Sequence, residues 1–351
     1  MKKNMVTRRK ALAGFGSLVA ASPLAADHPP QLAGEPPGRI APSVDLVNVL
    51  EFENMAERKL APDVFAGIAG SDRSFFDRIT FRPRMMVPTT HLDLTISLFG
   101  EKMFAPILVG PMARLQNYHA DAEAGMARAA SAAKSWMVVS CESSLPVEKI
   151  AAESKTALWY QVFPEEDVPA VRAKMDRAVK AGCKAICLTV GAPFPNAKVR
   201  PVVNWTVIDR MRKGVGVPVL IKGIMTPQEA GAAVKQGIDG IVVSNYGGLL
   251  APVMASSIEM LPSIVDAVGG KAPVLIDGSF RRGSDIFKAL AYGATAVMLG
   301  RPVVWGLAAY GPEGAQQVLE MLQTEVARDM AHCGRPTIKD IDRAVVKLHE
   351  V

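Results

Sequence analysis

Eight short apolar runs occupy the chain from about residue 104 onward, and a stretch with helical periodicity follows each of them. Continuous apolar strands that alternate with helices are typical of a parallel sheet covered by helices, and eight such units close a barrel. The pattern therefore predicts an α/β fold, a (β/α)8 TIM barrel, with a doubly wound open sheet as the alternative. The runs are Phe104–Gly110, Trp136–Ser140, Ala157–Phe163, Ala185–Val190, Pro218–Ile224, Gly240–Ser244, Pro273–Asp277 and Ala296–Gly300.

The segment before the first run predicts an extension of the barrel. Apolar residues between Val47 and Ala66 are spaced as in short helices, and residues 82–98 suggest a β excursion. Residues 27–43 are rich in Pro, Gly and Ala and have no hydrophobic period, which indicates an exposed linker. The sequence thus predicts an N-terminal segment over residues 1–26, a linker over 27–43 and a barrel domain over 44–351.

The first 26 residues have the pattern of an export signal. A charged start with the pair Arg8-Arg9 precedes a short apolar stretch over residues 13–21 and small residues near Ala25. This order is typical of a signal peptide, and the arginine pair indicates the twin-arginine route and a periplasmic or otherwise exported protein. The apolar stretch is shorter than the roughly 20 residues that a membrane span needs, which disfavours a single-span anchor. A frayed basic tail is the other alternative.

Charge and metal-ligating residues exclude two classes of site. The net charge of +6 falls to +1 once the five basic residues of the N-terminal segment are removed, so a basic nucleic-acid surface is not predicted. The four cysteines form no Cys-x-x-Cys pair, and the five histidines are scattered without ligand spacing. We expect isolated core thiols and no metal.

Glycine and arginine follow the seventh and eighth runs, where barrels of this kind bind phosphate. Asp277-Gly278-Ser279-Phe280-Arg281-Arg282-Gly283 comes after one run and Gly300-Arg301-Pro302 after the next. Glycine lets the backbone approach a phosphate, a helix start supplies partial positive charge, and arginine can clamp the anion. Phosphate binding is favoured over two tight turns with solvated arginines.

Lys222 ends an apolar run, so its amine is expected in the barrel mouth. A buried lysine needs an anionic partner or a lowered pKa. The N1–C2=O edge of a reduced flavin would be such a partner, whereas a lysine that reaches water is the alternative.

From about Val47 to the C-terminus the chain resembles the FMN-dependent α-hydroxy-acid oxidases and dehydrogenases, which include glycolate and lactate oxidases. The stretches that carry the resemblance occur in the family's order and spacing. They are Phe81-Arg82-Pro83-Arg84, Pro106-Ile107, Ala127-Arg128-Ala129-Ala130, Leu188-Thr189-Val190, Lys222-Gly223, Val243-Ser244-Asn245, Asp277-Gly278, Arg281-Arg282-Gly283 and Gly300-Arg301-Pro302-Val303.

The resemblance implies FMN as the cofactor and assigns its contacts. Pro111, Met112 and Ala113 would line the flavin, and Ser244 would lie beside it. Hydrogen bonds to the ring are implied for Ser140, Gln161, Thr189 and Lys222. Asp277 would bind the ribityl chain, and the phosphate would be bound by Gly278, Ser279, Arg281, Gly300 and Arg301.

The positions that would bind the substrate depart from the family. Tyr246 stands where the family has its proton-abstracting histidine, and Leu249 stands where it has a carboxylate-binding arginine. The nearest cation to a second expected arginine is Lys198, in a shortened segment. Two family tyrosines align with Gly67 and Phe163. The carboxylate of a bound 2-hydroxy acid would be poorly paired, which would cost several kcal/mol of binding free energy.

Few residues could take over the roles of the missing histidine and arginines. A phenol has a pKa near 10, so Tyr246 is a poor base at neutral pH but can act as an acid or hydrogen-bond donor; it could equally be an aromatic filler. Arg114, after the first run, is a weak candidate for a new anion site, together with Phe163 and Lys198 as substrate contacts.

The sequence as a whole predicts an exported FMN-dependent oxidoreductase whose flavin accepts a hydride from an organic substrate other than a simple 2-hydroxy acid. Two alternatives remain open: a flavin-binding protein without redox turnover, and a barrel isomerase that uses FMN or a phosphate ligand without net electron transfer. The electron acceptor is not identified, and a homotetramer is a possibility that the resemblance raises.

Overall fold

A computed structural model describes residues 40–70, 72–191, 204–246 and 255–349. Its centre is a closed barrel of eight parallel strands, in which the last strand pairs with the first through Val297 and Ile107. This closure confirms the predicted (β/α)8 barrel and excludes the open sheet. The barrel strands are β4 (Ile107–Val109), β5 (Trp136–Ser140), β6 (Leu158–Val162), β7 (Ile186–Thr189), β8 (Val219–Ile224), β9 (Gly240–Val243), β10 (Val274–Ile276) and β11 (Ala296–Leu299).

Side chains alternate along each barrel strand between the barrel interior and the helix layer. In β8, for example, Leu220 belongs to the interior cluster, whereas Val219 and Ile221 belong to the large cluster beneath the helices. The interior is filled by bulky groups, with Trp136, Val138 and Trp159 among them. The strands read as continuous apolar runs because both of their faces are buried.

A β-hairpin closes the N-terminal end of the barrel. Strands β2 (Ile96–Leu98) and β3 (Glu101–Met103) pair antiparallel, and Leu98 and Met103 join the interior cluster. Phe99, at the hairpin tip, contacts Trp159 with ring centroids 5.8 Å apart. This hairpin lies within the predicted β excursion and its immediate continuation, and it leaves the C-terminal strand ends as the face where a ligand can enter.

The helices that cover the barrel each bury an apolar face. After β11 the chain forms α11 (Arg301–His332), which is kinked at Gly311, where φ is +71°. The other helices between barrel strands are α4 (Ala122–Ala132), α5 (Val147–Glu153), α6 (Val168–Lys180), α7 (Trp205–Arg212), α8 (Pro227–Lys235), α9 (Ser257–Val268) and α10 (Gly283–Ala291).

The N-terminal extension packs against the last helix. It contains α1 (Val49–Lys59), α2 (Pro62–Ala66) and α3 (Ser74–Asp77). Asn48 caps α1 by accepting the Leu50 N–H, and the buried face of α1 lies on α11. Strand β1 (Ile79–Phe81) pairs with β12 (Val346–Leu348) near the C-terminus. This arrangement carries residues 66–70 over the C-terminal end of the barrel.

Cys183, Cys187 and Cys333 are buried and form no disulfide. Burial raises the pKa of the Cys187 thiol to about 12, so it stays protonated at neutral pH. Within the described ranges, no group of three or more His, Cys, Asp or Glu side chains is placed to hold a metal ion. Among those same residues, no helix combines the length and the apolar character that a membrane crossing requires.

Candidate active site

A cavity of about 610 Å³ opens at the C-terminal ends of the barrel strands. Its walls come from the loops after β4, β8, β9, β10 and β11 and from the segment that follows α2. The predicted residues that line it are Pro111, Met112, Lys222, Ser244, Tyr246, Asp277, Gly278, Ser279, Arg281, Gly300 and Arg301. Residues that are distant in sequence thus meet at one edge because parallel strands end on the same face.

Lys222 is the central cation of the cavity floor. Its side chain is 4% exposed, and its Nζ lies 2.8 Å from Asp277 Oδ2 and donates to Ser244 Oγ at 2.8 Å. The sequence positions it through Gly223, which has φ of +111° and interrupts the register between β8 and β9. A side chain at 223 would collide with the Val190 carbonyl, so glycine is required for Lys222 to point into the cavity.

Three polar side chains follow one another at the ends of β5, β6 and β7. Ser140 donates to Gln161 Oε1 at 3.1 Å, whereas Gln161 Nε2 and Thr189 Oγ1 are buried and have no hydrogen-bond partner in the described structure. A buried amide or hydroxyl without a partner costs about 1–3 kcal/mol. Thr189 pairs with Lys222 on the next strand, and Gln161 lies one strand further around the barrel. The two atoms match the polar edge of a flavin ring, which offers both acceptors and a donor.

Glycines make room at the other end of the cavity. Gly278 has φ of +106°, and a Cβ atom there would lie 2.7 Å from Ser257 Oγ and 3.2 Å from Asn245 Oδ1. At Gly300 a Cβ atom would lie 3.1 Å from Met112 Sδ. The two positions therefore form a narrow cradle in which backbone, rather than side chain, faces the cavity.

Two arginines flank this cradle. Arg281 is 3% exposed, its guanidinium stacks on Trp305 at 4.5 Å, and its Nη1 donates to the Phe280 carbonyl at 2.9 Å. The Nη2 atom of Arg281 is buried without a partner in the described residues. Arg301 Nη1 donates to the Ala69 carbonyl at 2.8 Å. Burial and the charge of Arg301 lower the pKa of Arg281 to about 9, so a buried positive charge awaits an anion.

The helix start after Arg281 does not supply the backbone donors that the sequence suggested. Asp285 accepts the N–H groups of Arg281 and Arg282 at 2.9 and 3.0 Å, and Glu325 accepts that of Gly283 at 2.6 Å. Two internal carboxylates therefore use the first N–H groups of α10. The anion-binding capacity of this end rests instead on the arginines and on the glycine cradle.

An exposed aromatic side chain, packed on a buried one, lies at the mouth of the cavity. Tyr246 is 42% exposed, and its ring lies 5.1 Å from Lys222 Nζ and 6.0 Å, centroid to centroid, from the ring of Phe163. Gly67 lines the cavity opposite, and a Cβ atom there would lie 3.3 Å from the hydroxyl of Tyr118. Burial raises the pKa of Tyr118, so this phenol is neutral at physiological pH.

The remaining predicted residues are placed less centrally. Ala113, Ser140, Gln161 and Thr189 lie outside the cavity lining given above, although the last three sit at adjoining strand ends. Arg114 is exposed, adopts φ of +54° and does not line the cavity. Lys198 and Leu249 fall outside the described residues.

Several residues at the cavity were not predicted from the sequence. Ala66, Ala69 and Gly70 line it from the segment after α2, and Glu53 of α1 accepts a hydrogen bond from the Gly70 N–H. No motif marks these positions, because only the tertiary packing of α1 on α11 brings them to the barrel. Trp305 beneath Arg281 is likewise a consequence of packing.

The described residues fit FMN at both ends. Lys222 presents a cation to the cavity, and Gln161 and Thr189 hold unsatisfied polar atoms at the neighbouring strand ends. At the other end, Arg281 offers an unpaired Nη2 beside the glycine cradle to the phosphate. In the structure as described, Lys222 is paired with Asp277, the residue expected to bind the ribityl chain. Bound FMN would be held by these groups and would supply the N5 atom as a hydride acceptor.

Comparison with known proteins agrees with this geometry. The family model described as FMN-dependent dehydrogenase matches residues 68–200 and 194–348. The peroxisomal (S)-2-hydroxyacid oxidase GLO4 of Arabidopsis thaliana is 36% identical over 86% of this chain and 96% of its own length. The L-lactate oxidase of Nostoc sp. is 34% identical over 86% of this chain and 98% of its own.

Solved structures show the same fold. Mandelate oxidase superposes with a TM-score of 0.82 at 33% identity, covering 87% of this chain and all of the other. An arginine-to-leucine variant of mandelate oxidase with 2-hydroxy-phenylacetamide gives a TM-score of 0.82 at 34% identity with the same coverage. The chain is an FMN-dependent oxidoreductase and belongs to the family of FMN-dependent α-hydroxy-acid oxidases and dehydrogenases.

Proposed function

We propose that this enzyme oxidises the CH–OH group of an uncharged organic substrate rather than a simple 2-hydroxy acid. The observation that carries the proposal is the exposed ring of Tyr246 at the mouth, which covers the ammonium of Lys222 and packs on the buried Phe163. A substrate that reaches this mouth meets an aromatic ring before it meets a cation.

The cations of the cavity support the same proposal. The described lining residues that carry positive charge are Lys222, Arg281 and Arg301. Lys222 is bound by Asp277 and Ser244, and the two arginines belong to the phosphate end. A substrate carboxylate would therefore compete for cations that hold the cofactor, and burying it unpaired would cost about several kcal/mol.

The mandelate oxidase variant offers a parallel. There, a leucine replaces an arginine, and the bound molecule is an amide, 2-hydroxy-phenylacetamide, instead of an acid. This chain has an uncharged leucine at 249, where the family resemblance implies an arginine, and aromatic residues at 163 and 246. An amide, an ester or a simple carbinol with an aromatic group would match such a site.

Bound FMN would supply the hydride acceptor for the substrate's CH–OH group, and the hydroxyl proton would have to leave for solvent. The phenol of Tyr246 would orient the hydroxyl and pass its proton to water, because Tyr246 is the polar group at the mouth that is both near Lys222 and open to solvent. Lys222 would stabilise negative charge on the reduced ring, and Phe163 would exclude water from one side.

The test is anaerobic flavin reduction by matched pairs of substrates. We expect mandelamide or methyl mandelate to bleach the flavin faster than mandelate at equal concentration, and lactate and glycolate to be slow. Fast reduction by lactate or glycolate at low concentration would refute the proposal. Tyr246→Phe should lower the reduction rate by about 100-fold while FMN binding is retained.

A flavin-binding protein without redox turnover is the second candidate. It is favoured by the lack of an imidazole at the cavity: His91, His119, His332 and His349, the described histidines, do not line it. If no donor reduces the bound FMN while sulfite still forms its adduct, this candidate replaces the first. A non-redox isomerase would instead require prior flavin reduction and consume no electrons.

Export by the twin-arginine route and a homotetrameric assembly are part of the proposal. The pattern of residues 1–26 supports export, which suits a protein that binds its cofactor before translocation. Replacing Arg8 and Arg9 by lysine should retain the protein in the cytoplasm, as cell fractionation would show. Light scattering of the holoenzyme tests the tetramer.

A further inference from the structure

A carboxylate lies behind the segment that lines the cavity beside Arg301. Glu53 projects from α1, and the Gly70 N–H donates to it. Its Oε1 lies 2.7 Å from the position that a Cβ atom at Gly70 would occupy. Gly70 and Ala69 line the cavity, and the Ala69 carbonyl accepts from Arg301. Glu53 accepts from the N–H of Gly70, and Arg301 donates to the carbonyl of the preceding residue, Ala69.

The charges that face Glu53 come from three elements. Arg281, after β10, and Arg301, at the start of α11, both attract its carboxylate, and Glu57, one turn along α1, repels it. Burial raises the pKa of Glu53, and the two arginines oppose this rise. Glu53 in turn raises the pKa of both arginines against the effect of their burial. The three groups form one electrostatic unit.

Addition of a phosphate changes the balance of this unit. A phosphomonoester is mostly a dianion above pH 7, since its second pKa is about 6. Two guanidinium groups neutralise it, so an ionised Glu53 would leave one uncompensated negative charge in a half-buried site. Repulsion between carboxylate and phosphate favours the protonated form of the carboxylate.

We infer that Glu53 is a charged member of the phosphate end and takes up a proton from solvent when FMN binds. Without FMN it serves as the internal counter-ion of Arg281 and Arg301, and with FMN it becomes neutral. FMN affinity would then fall as pH rises, by up to about tenfold per pH unit within the range between the two pKa values of Glu53. This inference concerns the cofactor and does not depend on the identity of the substrate.

The experiment is calorimetric titration of the full-chain apoprotein with FMN at pH 7.5, in buffers of different ionisation enthalpy. The dependence of the heat on the buffer counts the protons taken up. We expect net proton uptake in the native chain and uptake close to zero in Glu53→Gln. Asp63→Asn removes an exposed carboxylate on α2 that is not among the charges acting on Glu53; it is the control and should behave like the native chain.

Riboflavin, which lacks the phosphate, shows whether the proton uptake is caused by the phosphate or by the rest of the flavin. Its binding to the native chain should take up no proton, because nothing repels Glu53. Equal uptake with FMN and riboflavin, no uptake with FMN, or undiminished uptake in Glu53→Gln would each overturn the inference. The native-chain comparison of the two ligands decides the matter even if Glu53→Gln does not fold.

Discussion

The phosphate end and the mouth of the cavity use their polar groups in opposite ways. At the phosphate end, Arg281 is buried with an unpaired Nη2 and Arg301 is held by a backbone carbonyl, so positive charge is fixed before any ligand arrives. At the mouth, Tyr246 is 42% exposed, and its ring lies against Lys222 and Phe163. One end is preorganised for a specific anion, whereas the other presents adaptable aromatic surface.

This difference indicates which parts of the chain are constrained by the cofactor and which by the substrate. A phosphate site requires fixed donors and a close backbone approach, so a change there disrupts binding of the cofactor itself. If the substrate is uncharged, as proposed, the mouth should accept more changes of residue type than the phosphate end. Lys222 lies at the boundary, since it touches Asp277 on one side and Tyr246 on the other.

The largest effect is expected at this boundary. Lys222→Met keeps the length of the side chain but removes the charge, and it leaves Asp277 without its cation. We expect flavin reduction to slow by on the order of 100- to 1000-fold and sulfite no longer to form an adduct, because negative charge on the ring is no longer stabilised. Stopped-flow absorbance and a sulfite titration measure the two effects.

The control for this variant is Lys235→Met, on the exposed side of α8, which should leave both measurements unchanged. If Lys222→Met retained normal reduction and sulfite binding, the boundary between the two regions would be wrongly placed. Lys222 would then act only in positioning Asp277.

A smaller effect is expected within the phosphate end. Gly278→Ala places a methyl group against Ser257 Oγ and Asn245 Oδ1 and also strains the backbone at φ of +106°. We expect a loss of about 1–3 kcal/mol in the free energy of unfolding and FMN binding at least about tenfold weaker. Urea unfolding and fluorescence titration with FMN provide the values.

Gly270→Ala separates strain from contact, because Gly270 also has positive φ, +73°, but a Cβ atom there meets nothing within 4 Å. It should lose stability without losing FMN affinity. If both variants weakened FMN binding equally, the cradle at Gly278 would have no special role.

The smallest effect is expected behind the phosphate end, where Asp329 lies near Glu325, the acceptor of the Gly283 N–H. Burial, with the charge of Glu325, raises the pKa of Asp329 to about 6. Its unfolded value is about 3.9, so the folded chain binds this proton more tightly, and the resulting stability is lost as pH rises from about 4 to 6. Asp329→Asn should therefore be more stable than the native chain at pH 7, by about 1 kcal/mol after allowance for solvent screening.

Urea unfolding at pH 4 and pH 7 measures the difference in the free energy of unfolding between Asp329→Asn and the native chain. This difference should nearly vanish at pH 4. The exposed residue Asp45 provides the control, and Asp45→Asn should show no such pH-dependent gain. A gap of equal size at both pH values would mean that packing, and not charge, explains the gain.

The barrel could be predicted from the sequence because each strand is apolar on both faces and each is followed by a helix. The predicted runs differ from the observed strands mainly at their ends; Phe104–Gly110, for example, contains the shorter strand β4. The glycine and arginine turns could be located for the same reason, since the order of strands in a barrel fixes which loops are neighbours.

Which groups accept the backbone N–H donors of the first of those turns could not be predicted. That Asp285 and Glu325 occupy the N–H groups of residues 281–283 depends on side-chain directions and on a contact across 42 residues of sequence. Glu53 is more distant still, on a helix whose sequence resembles any amphipathic surface helix. The contact of Tyr118 with Gly67 also arises only when the N-terminal extension folds over the barrel.

The hairpin of β2 and β3 has a consequence for the order of events in turnover. Because Leu98, Phe99 and Met103 close the N-terminal end of the barrel, the mouth is the opening that the described residues leave for both reductant and oxidant. Two reactants that use this opening must enter it in succession. The oxidised product would have to depart before the electron acceptor enters, so steady-state double-reciprocal plots should give parallel lines.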